Sequence, residues 1–196
     1  MRMPLFVTPD RLTLVGLAGA VLVFAGYLAS NLATGWLWLA LLGYLVQWFG
    51  DSMDGSLARF RKIERPSYGY FIDHSCDGIT NLLIVAGIGL SPFVTMNIAM
   101  LALAGYFLMS MHAFLSARVT GELRLSYVAA GPTELRLALV VMTIAMWTLG
   151  PGGDRLGWFP AFDAFVGAIA VALIALFVVQ THVVGRRLAI QDRPKR

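Results

Sequence analysis

The chain has 196 residues, of which 58% are hydrophobic and 13% are charged. Because soluble domains carry about 25% charged residues, this composition argues against a wholly water-soluble protein, and the length favours one domain over residues 1–196. The net charge is +4, but the basic residues are dispersed along the chain, which argues against nucleic acid as a partner. Cys76 is the single cysteine, so no intrachain disulfide can form.

Long uncharged runs predict the main elements of the fold. A helix that crosses a bilayer needs about 20 predominantly apolar residues. We therefore predict an all-α integral membrane protein with six transmembrane helices. The spans come from the uncharged runs 12–50 and 78–117, each divided in two by a polar break at 30–35 and 91–92, and from the apolar stretches 137–150 and 164–185.

The positive charges predict the orientation of these spans. Suppose that both termini and the segments around 51–70 and 118–136 lie on one side of the membrane. Of the 15 lysines and arginines, Arg155 is then the one that falls on the other side. Positive residues stay in the cytoplasm, so we expect both termini to be cytoplasmic. We expect a bacterial or archaeal cell membrane, with the functional site facing the cytoplasm and some attraction to anionic lipid.

Residues 51–77 contain a regular arrangement of aspartates. They read D-x-x-D-G-x-x-A-R, then nine residues, then G-x-x-x-D-x-x-x-D. Asp51 and Asp54 are three apart and Asp73 and Asp77 are four apart, so each pair shares a helix face. If the first pair ends span two and the second begins span three, the two antiparallel helices bring the pairs face to face.

Four carboxylates in one pocket near lipid repel one another and are costly to desolvate. Two divalent cations would balance their charge, and oxygen ligands favour Mg²⁺ or Mn²⁺. Paired cations about 3.5–4 Å apart serve phosphoryl chemistry by clamping phosphate oxygens and the leaving group. Gly55 would let a ligand approach the backbone, and Arg59 can hold a phosphate bidentately.

Other residues near the aspartates permit simpler interpretations. Arg61, Lys62 and Arg65 are either orientation charges on a solvated loop or a patch that steers phosphate. His74 and Cys76 fall largely off the face that Asp73 and Asp77 share, so we interpret them as packing groups or as groups that support the metal ligands, and not as ligands themselves.

At every fixed position this pattern resembles the signature of the CDP-alcohol phosphotransferase family. The resemblance implies a fold of six transmembrane helices, usually as a homodimer. It also implies an enzyme that transfers a substituted phosphate from a CDP-linked alcohol to a hydroxyl acceptor and releases CMP.

The same resemblance assigns roles to individual residues. All four aspartates would bind two metal ions, and Asp77 would also take the proton from the attacking hydroxyl. Since a cation-bound carboxylate is a weak base, we expect Asp77 to be only loosely bound to metal when the acceptor arrives. The family also has a Pro-Asn-x-x-Thr element before the first span, in which the asparagine contacts the nucleotide. This chain has the threonine, Thr13, but Asp10 stands in place of the asparagine, so that contact is not assigned to Asp10. The residues implied at the CDP site are Gly55, Ala58, Arg59 and Thr13.

Short segments lean towards one branch of the family. Residues 72–77, I-D-H-S-C-D, are similar to F-D-H-G-C-D of choline and ethanolamine phosphotransferases, and 119–124 with 131–134 resembles a further run of theirs. Those enzymes use a CDP-amino alcohol and a diradylglycerol, but they are longer and have more spans. The alternative is a phosphatidylinositol-phosphate or phosphatidylglycerophosphate type of synthase that uses CDP-diacylglycerol and a polyol phosphate.

Residues 118–136 carry charges of both signs, which leaves the identity of the acceptor open. Glu134 would suit a cationic head group, or it pairs with Arg136 or another loop arginine. Arg118, Arg124 and Arg136 favour an anionic acceptor such as a polyol phosphate, or they form a basic loop rim.

Two functions of another class compete with the enzyme. A cation-coupled transporter would more often bury its carboxylates at mid-bilayer on broken helices. A non-catalytic membrane scaffold predicts no dependence on metal.

Overall fold

The structure is a computed structural model that describes residues 4, 6–120, 132–152, 155–156 and 159–192. Within these residues the chain forms six α-helices and a short antiparallel pair of strands. The helices are α1 (Pro9–Ala29), α2 (Leu37–Arg61), α3 (Pro66–Leu90), α4 (Met96–Thr120), α5 (Pro132–Leu149) and α6 (Ala161–Gln191), with a 3-10 turn at Thr34–Trp36 before α2 and the strands β1 (Arg155–Leu156) and β2 (Phe159–Pro160) before α6.

Each predicted span coincides with one of these helices, and the helical fold is confirmed. In the described part of the chain, three helices combine the length and mean hydropathy of a membrane-spanning helix: α1 at 2.1, α4 at 1.8 and α6 at 2.6. α2 and α3 have 25 residues each, which gives a length of about 37 Å, but each carries aspartates. These apolar helices support an integral membrane protein, while the count of six spans and the side of the termini stay predictions.

Two local differences from the expected fold have simple causes. The connector at 150–160 contains the strand pair, in which Arg155 lies opposite Pro160 and Leu156 opposite Phe159, so the chain is not purely α-helical there. This stretch is rich in glycine and proline, which favour chain reversal. The α2–α3 connection is also shorter than the nine residues that separate the two halves of the aspartate pattern, because α2 continues to Arg61 and Pro66 starts α3 at a position where proline is favoured.

Lys62 ends α2 in a left-handed conformation with a φ of 56°. The Ile63 N–H donates to the Ala58 carbonyl at 3.1 Å and the Lys62 N–H donates to the Arg59 carbonyl at 3.1 Å, which is the Schellman pattern that closes many helices. This closure turns the chain sharply into α3, so the halves of α2 and α3 that carry the aspartates lie at the same end of the fold, where both helices pack against α1.

Replacing Lys62 with glycine should stabilise the protein by about 1 kcal/mol, because a side chain makes the left-handed conformation unfavourable by about that amount. Thermal unfolding in detergent would measure the change. Glu64→Gly, next to it but without a positive φ, serves as the control and should not stabilise. An unchanged or lower midpoint for Lys62→Gly would contradict the expectation.

α1 and α2 pack backbone against backbone through glycines. A Cβ on Gly50 would lie 2.3 Å from the Gly16 nitrogen, and a Cβ on Gly19 would lie 2.3 Å from the Gln47 nitrogen. Small residues allow such close approach between membrane helices. Since Gly50 precedes Asp51, this contact fixes the middle of α2, next to the aspartates, against the first half of α1.

The end of the bundle opposite the aspartates is closed by polar contacts between helices. Buried Asp163, in the first turn of α6, accepts hydrogen bonds from the Thr95 N–H at 2.7 Å and the Thr95 hydroxyl at 3.3 Å, just before α4 begins. The Asn31 amide donates to the Leu90 carbonyl at 2.8 Å and so connects the ends of α1 and α3. These contacts leave the aspartate end of α1, α2 and α3 as the open side of the fold.

Candidate active site

The four aspartates of the signature line one small cavity where α1, α2 and α3 meet. Its volume is about 10 Å³ and its lining includes Asp51, Asp54, Asp73 and Asp77. The two pairs on α2 and α3 therefore face each other, as their spacing predicted.

A larger cleft of about 300 Å³ lies beside this cavity. Three of the aspartates, Asp51, Asp54 and Asp73, line both spaces, whereas Asp77 lines the small cavity alone. The predicted nucleotide residues also line the cleft: Gly55, Ala58, Arg59 and Thr13. A ligand in the cleft would thus touch three of the carboxylates, with the fourth one helical turn deeper.

Asp54 is held in place by two hydrogen bonds. The Thr13 hydroxyl donates to Asp54 Oδ2 at 2.7 Å, and the Gly55 N–H donates to Asp54 Oδ1. Thr13, which we predicted at the nucleotide site, therefore also orients an aspartate from across the α1–α2 contact.

Asp51 contacts a residue that is distant in sequence. Arg136 Nη2, in the second turn of α5, lies 3.0 Å from Asp51 Oδ2, and both side chains are largely buried. Arg136 was predicted as a residue for an anionic acceptor. The structure places its guanidinium at the aspartate cluster itself.

The donor chemistry of the cavity fits a divalent cation. Its carboxylate oxygens and the amide of Gln47 are ligands that Mg²⁺ and Mn²⁺ prefer. Gln47 Oε1 is buried and accepts no hydrogen bond from the described residues. As the side chains stand, no group of three His, Cys, Asp or Glu among the described residues is close enough to hold one ion, so binding would require the carboxylates to move inwards.

Other predicted acceptor residues lie away from both spaces or outside the described residues. Arg118 is exposed at the end of α4 and lines neither the cavity nor the cleft. Arg124 falls outside the described residues. Glu134 is exposed in the first turn of α5. Of the four predicted acceptor residues, the structure brings Arg136 to the aspartates.

Two arginines at and just after the end of α2, Arg61 and Arg65, make specific contacts near the cleft. Arg61 donates to the Val7 carbonyl at 2.5 Å and to the Pro4 carbonyl at 2.9 Å, so it holds the segment before α1. Arg65 pairs with Asp10 and lies 4.1 Å from the centre of the Tyr68 ring. Both arginines therefore hold neighbouring segments of the chain and are not only solvated loop residues.

His74 packs between aromatic rings, as expected. Its ring centre lies 4.3 Å from that of Tyr70 and 5.3 Å from that of Phe114. Its Nδ1 lies 2.9 Å from the Tyr70 carbonyl and 3.7 Å from Asp73 Oδ2. Cys76 is partly buried and lines the small cavity together with the aspartates.

The fold and the paired aspartates are those of a membrane-embedded family, and the chain belongs to it: the CDP-alcohol phosphatidyltransferase family, whose sequence profile matches residues 6–186. This membership confirms the family predicted from residues 51–77.

Two characterised relatives are informative. Over 94 residues the chain is 33% identical to the archaetidylinositol phosphate synthase of Methanothermobacter thermautotrophicus, an alignment that covers 48% of this chain and 45% of that protein. The chain thus aligns with about half the length of that relative. The crystal structure of apo Mycobacterium tuberculosis phosphatidylinositol phosphate synthase shares the fold, with a TM-score of 0.60, 23% identity, and coverage of 91% of this chain and 89% of that one.

Proposed function

We propose that this protein transfers a substituted phosphate group from a CDP-linked alcohol to a hydroxyl acceptor in a membrane and releases CMP. The observation that carries the proposal is the cavity lined by all four signature aspartates, beside a cleft lined by Gly55, Ala58 and Arg59. A transporter would have little use for this cleft, and family membership supports the enzyme.

In this proposal the four aspartates hold two Mg²⁺ or Mn²⁺ ions. When bound, the cations would polarise the phosphoryl oxygens and stabilise the departing CMP. Thr13 and the Gly55 N–H orient Asp54 for this role. Arg136 would give up or share its contact with Asp51, since a cation takes over the charge that Arg136 now neutralises.

Arg59 would bind the diphosphate of the donor. It lies one turn beyond Gly55, is exposed, and has a weak contact of 3.4 Å with Ser56, so its guanidinium is available to a ligand. Gly69 also lines the cleft, and a Cβ there would meet no atom within 4 Å. This open space leaves room for the nucleotide next to the backbone.

Replacing Arg59 with glutamine should raise the KM for the CDP-linked donor by about tenfold or more, because a charge-assisted bond to phosphate is worth about 1.5–3 kcal/mol. Steady-state kinetics of CMP release would measure it. Lys62→Gln, which removes a nearby exposed positive charge outside the cleft lining, is the matched control. Equal KM values for Arg59→Gln and the wild type would contradict donor binding by Arg59.

Asp77 would act as the general base and take the proton of the attacking hydroxyl on a carboxylate oxygen. It is the aspartate of the four that lines the small cavity but not the cleft. It is therefore the one farthest from the proposed donor site. A base placed behind the phosphate, opposite the leaving CMP, suits an in-line attack by the acceptor.

We propose a phosphorylated polyol as the acceptor and a CDP-linked lipid as the donor. Two observations favour this pair over an amino alcohol. Arg136 places a positive charge at the aspartate cluster, and the 33% identical relative is an archaetidylinositol phosphate synthase. The competing choline or ethanolamine assignment depends on residues 72–77 and on the segments 119–124 and 131–134, half of which lie outside the described residues.

A lipid mass-spectrometry assay tests the function. Purified protein would be offered CDP-diacylglycerol with inositol phosphate or glycerol phosphate, and CDP-choline or CDP-ethanolamine with diacylglycerol, each with Mg²⁺, with Mn²⁺ or with a chelator. We expect cation-dependent CMP release and a phosphorylated polyol lipid. A phosphocholine or phosphoethanolamine lipid instead would overturn the acceptor assignment, and no CMP release from any pair would overturn the enzyme.

We also propose that the aspartates face the cytoplasm of a cell membrane and that the protein is a homodimer. The orientation is supported by the positive charges, since both termini and the α2–α3 connection carry lysine and arginine. Reporter fusions to the C-terminus would test the side, and light scattering in detergent would test the oligomeric state.

A further inference from the structure

Gln47 is a buried polar residue that the function described so far does not use. It precedes Asp51 by four residues and Asp54 by seven, so all three lie on one face of α2. It is 2% exposed, in the stretch where α2 packs backbone to backbone against Gly19 of α1. Gln47 lines the small cavity together with the four aspartates, one helical turn before Asp51.

The Gln47 oxygen has no hydrogen-bond partner among the described residues. A buried carbonyl oxygen without a partner is rare in folded proteins and is unfavourable for stability. The cavity that it shares with the four aspartates has a volume of about 10 Å³, close to the smallest space of about 10–15 Å³ that holds one water molecule. There is therefore room for one small ligand in the cavity that Gln47 lines.

The groups around Gln47 favour a positively charged ligand. The four aspartates that line the same cavity are all hydrogen-bond acceptors when ionised. An additional acceptor oxygen among them is unfavourable unless a positive charge lies between. Carbonyl oxygens of amides are ordinary ligands of divalent cations, directly or through a water molecule.

We infer that Gln47 Oε1 is a neutral oxygen donor to the inner of the two cations, either directly or through one water held by that cation. The inference rests on the proposed cation site. It adds to that site a residue outside the 51–77 signature, on the helix turn before Asp51. Groups that support metal ligands commonly change affinity by about 10–100-fold when they are removed.

The test compares cation binding by variants in detergent, without measuring turnover. Free Mn²⁺ would be followed by electron paramagnetic resonance during titration of the wild type, Gln47→Leu and Gln47→Glu. Gln180→Leu, a half-buried glutamine on α6 that lines neither space, is the matched control. Thermal unfolding with and without Mn²⁺ would be recorded for each.

We expect Gln47→Leu to raise the Kd for Mn²⁺ by about tenfold or more, with Gln180→Leu unchanged. Gln47→Glu, which keeps the oxygen and loses the amide, should bind Mn²⁺ at least as tightly as the wild type. Without cation, Gln47→Leu should unfold at the wild-type temperature or higher, since it removes the unpartnered oxygen; with cation it should gain less stability.

Three results would overturn the inference. Gln47→Leu binding Mn²⁺ with wild-type affinity would show that the oxygen does not contribute. Equal destabilisation of Gln47→Leu with and without cation would show a purely structural role, or one for water alone. Weakened binding by Gln47→Glu would show that the amide N–H, donating to an aspartate, is the important group. If the wild type itself bound no Mn²⁺, the proposed cation site would fail along with the inference.

Discussion

Asp77→Asn should lower the rate of CMP release by about 10⁴-fold or more, and excess cation should not restore it. General-base catalysis contributes about 10²–10⁴-fold to a rate, and the loss of a charged ligand to a catalytic cation adds to this. Asparagine has nearly the same shape as aspartate but cannot accept the proton. Asp77 lines the small cavity and not the cleft, so donor binding should be little affected.

Asp54→Asn is the informative comparison. An asparagine oxygen can still accept the bond from the Thr13 hydroxyl, while the amide nitrogen in place of the other oxygen cannot accept the Gly55 N–H. The contact between α1 and α2 should therefore be kept while one ligand charge is lost. Its turnover should fall with cation affinity and should partly recover at high Mn²⁺, in contrast to Asp77→Asn. Asp192→Asn, at the exposed end of α6, controls for the loss of a carboxylate elsewhere. Full turnover of Asp77→Asn at saturating Mn²⁺ would exclude Asp77 as the base.

Gly50→Ala should destabilise the protein by about 2–3 kcal/mol, which is within the range for overpacking a tight interior contact. The added methyl would lie 2.3 Å from the Gly16 nitrogen and 2.6 Å from the Leu12 carbonyl oxygen. Both atoms belong to the backbone of α1, so the contact cannot be relieved by a side-chain rotation. The two helices would have to separate, and Asp54 would then lose its bond from Thr13.

A series of single methyl additions makes this prediction quantitative. On Gly16 the methyl would lie 3.3 Å from the Asp51 nitrogen, a tight but tolerable contact, and on Gly35 it would meet nothing within 4 Å. We expect the loss of stability to follow the order Gly50→Ala, Gly16→Ala, Gly35→Ala, with no loss for the last. Tryptophan fluorescence during unfolding in detergent would report it, along with Mn²⁺ affinity. Equal stability of Gly50→Ala and Gly35→Ala would refute backbone contact between α1 and α2.

The elements of this fold could be predicted because each is encoded locally. Uncharged runs long enough for a bilayer predict helices wherever they occur, and the spacing of Asp51, Asp54, Asp73 and Asp77 puts each pair on one helix face. The same residues carry the family signature, which the match over residues 6–186 confirms. The end of α2 was less predictable, since it depends on the left-handed conformation of Lys62.

The partners of these residues could not be predicted, because they lie far away in sequence. Arg136 meets Asp51 across 85 positions and Thr13 meets Asp54 across 41. Gln47 was overlooked because a single glutamine in an apolar run resembles a tolerated polar residue. A signal was present in its spacing of four from Asp51. The glycines at 16, 19 and 50 also gave a signal, since small residues on helices that come close together often mark a contact.

The sequence by itself determined the class of protein, its helices and the four carboxylates, because composition and short-range spacing are properties of the chain alone. Only the tertiary structure decided which groups orient and neutralise those carboxylates. It shows that backbone contact between α1 and α2 orients Asp54 and that α5 brings a positive charge to Asp51. It also shows that Gln47, which lines the same cavity, has a buried oxygen with no partner among the described residues. Each of these depends on which helices pack together and at what distance, and that is set by the fit of whole surfaces.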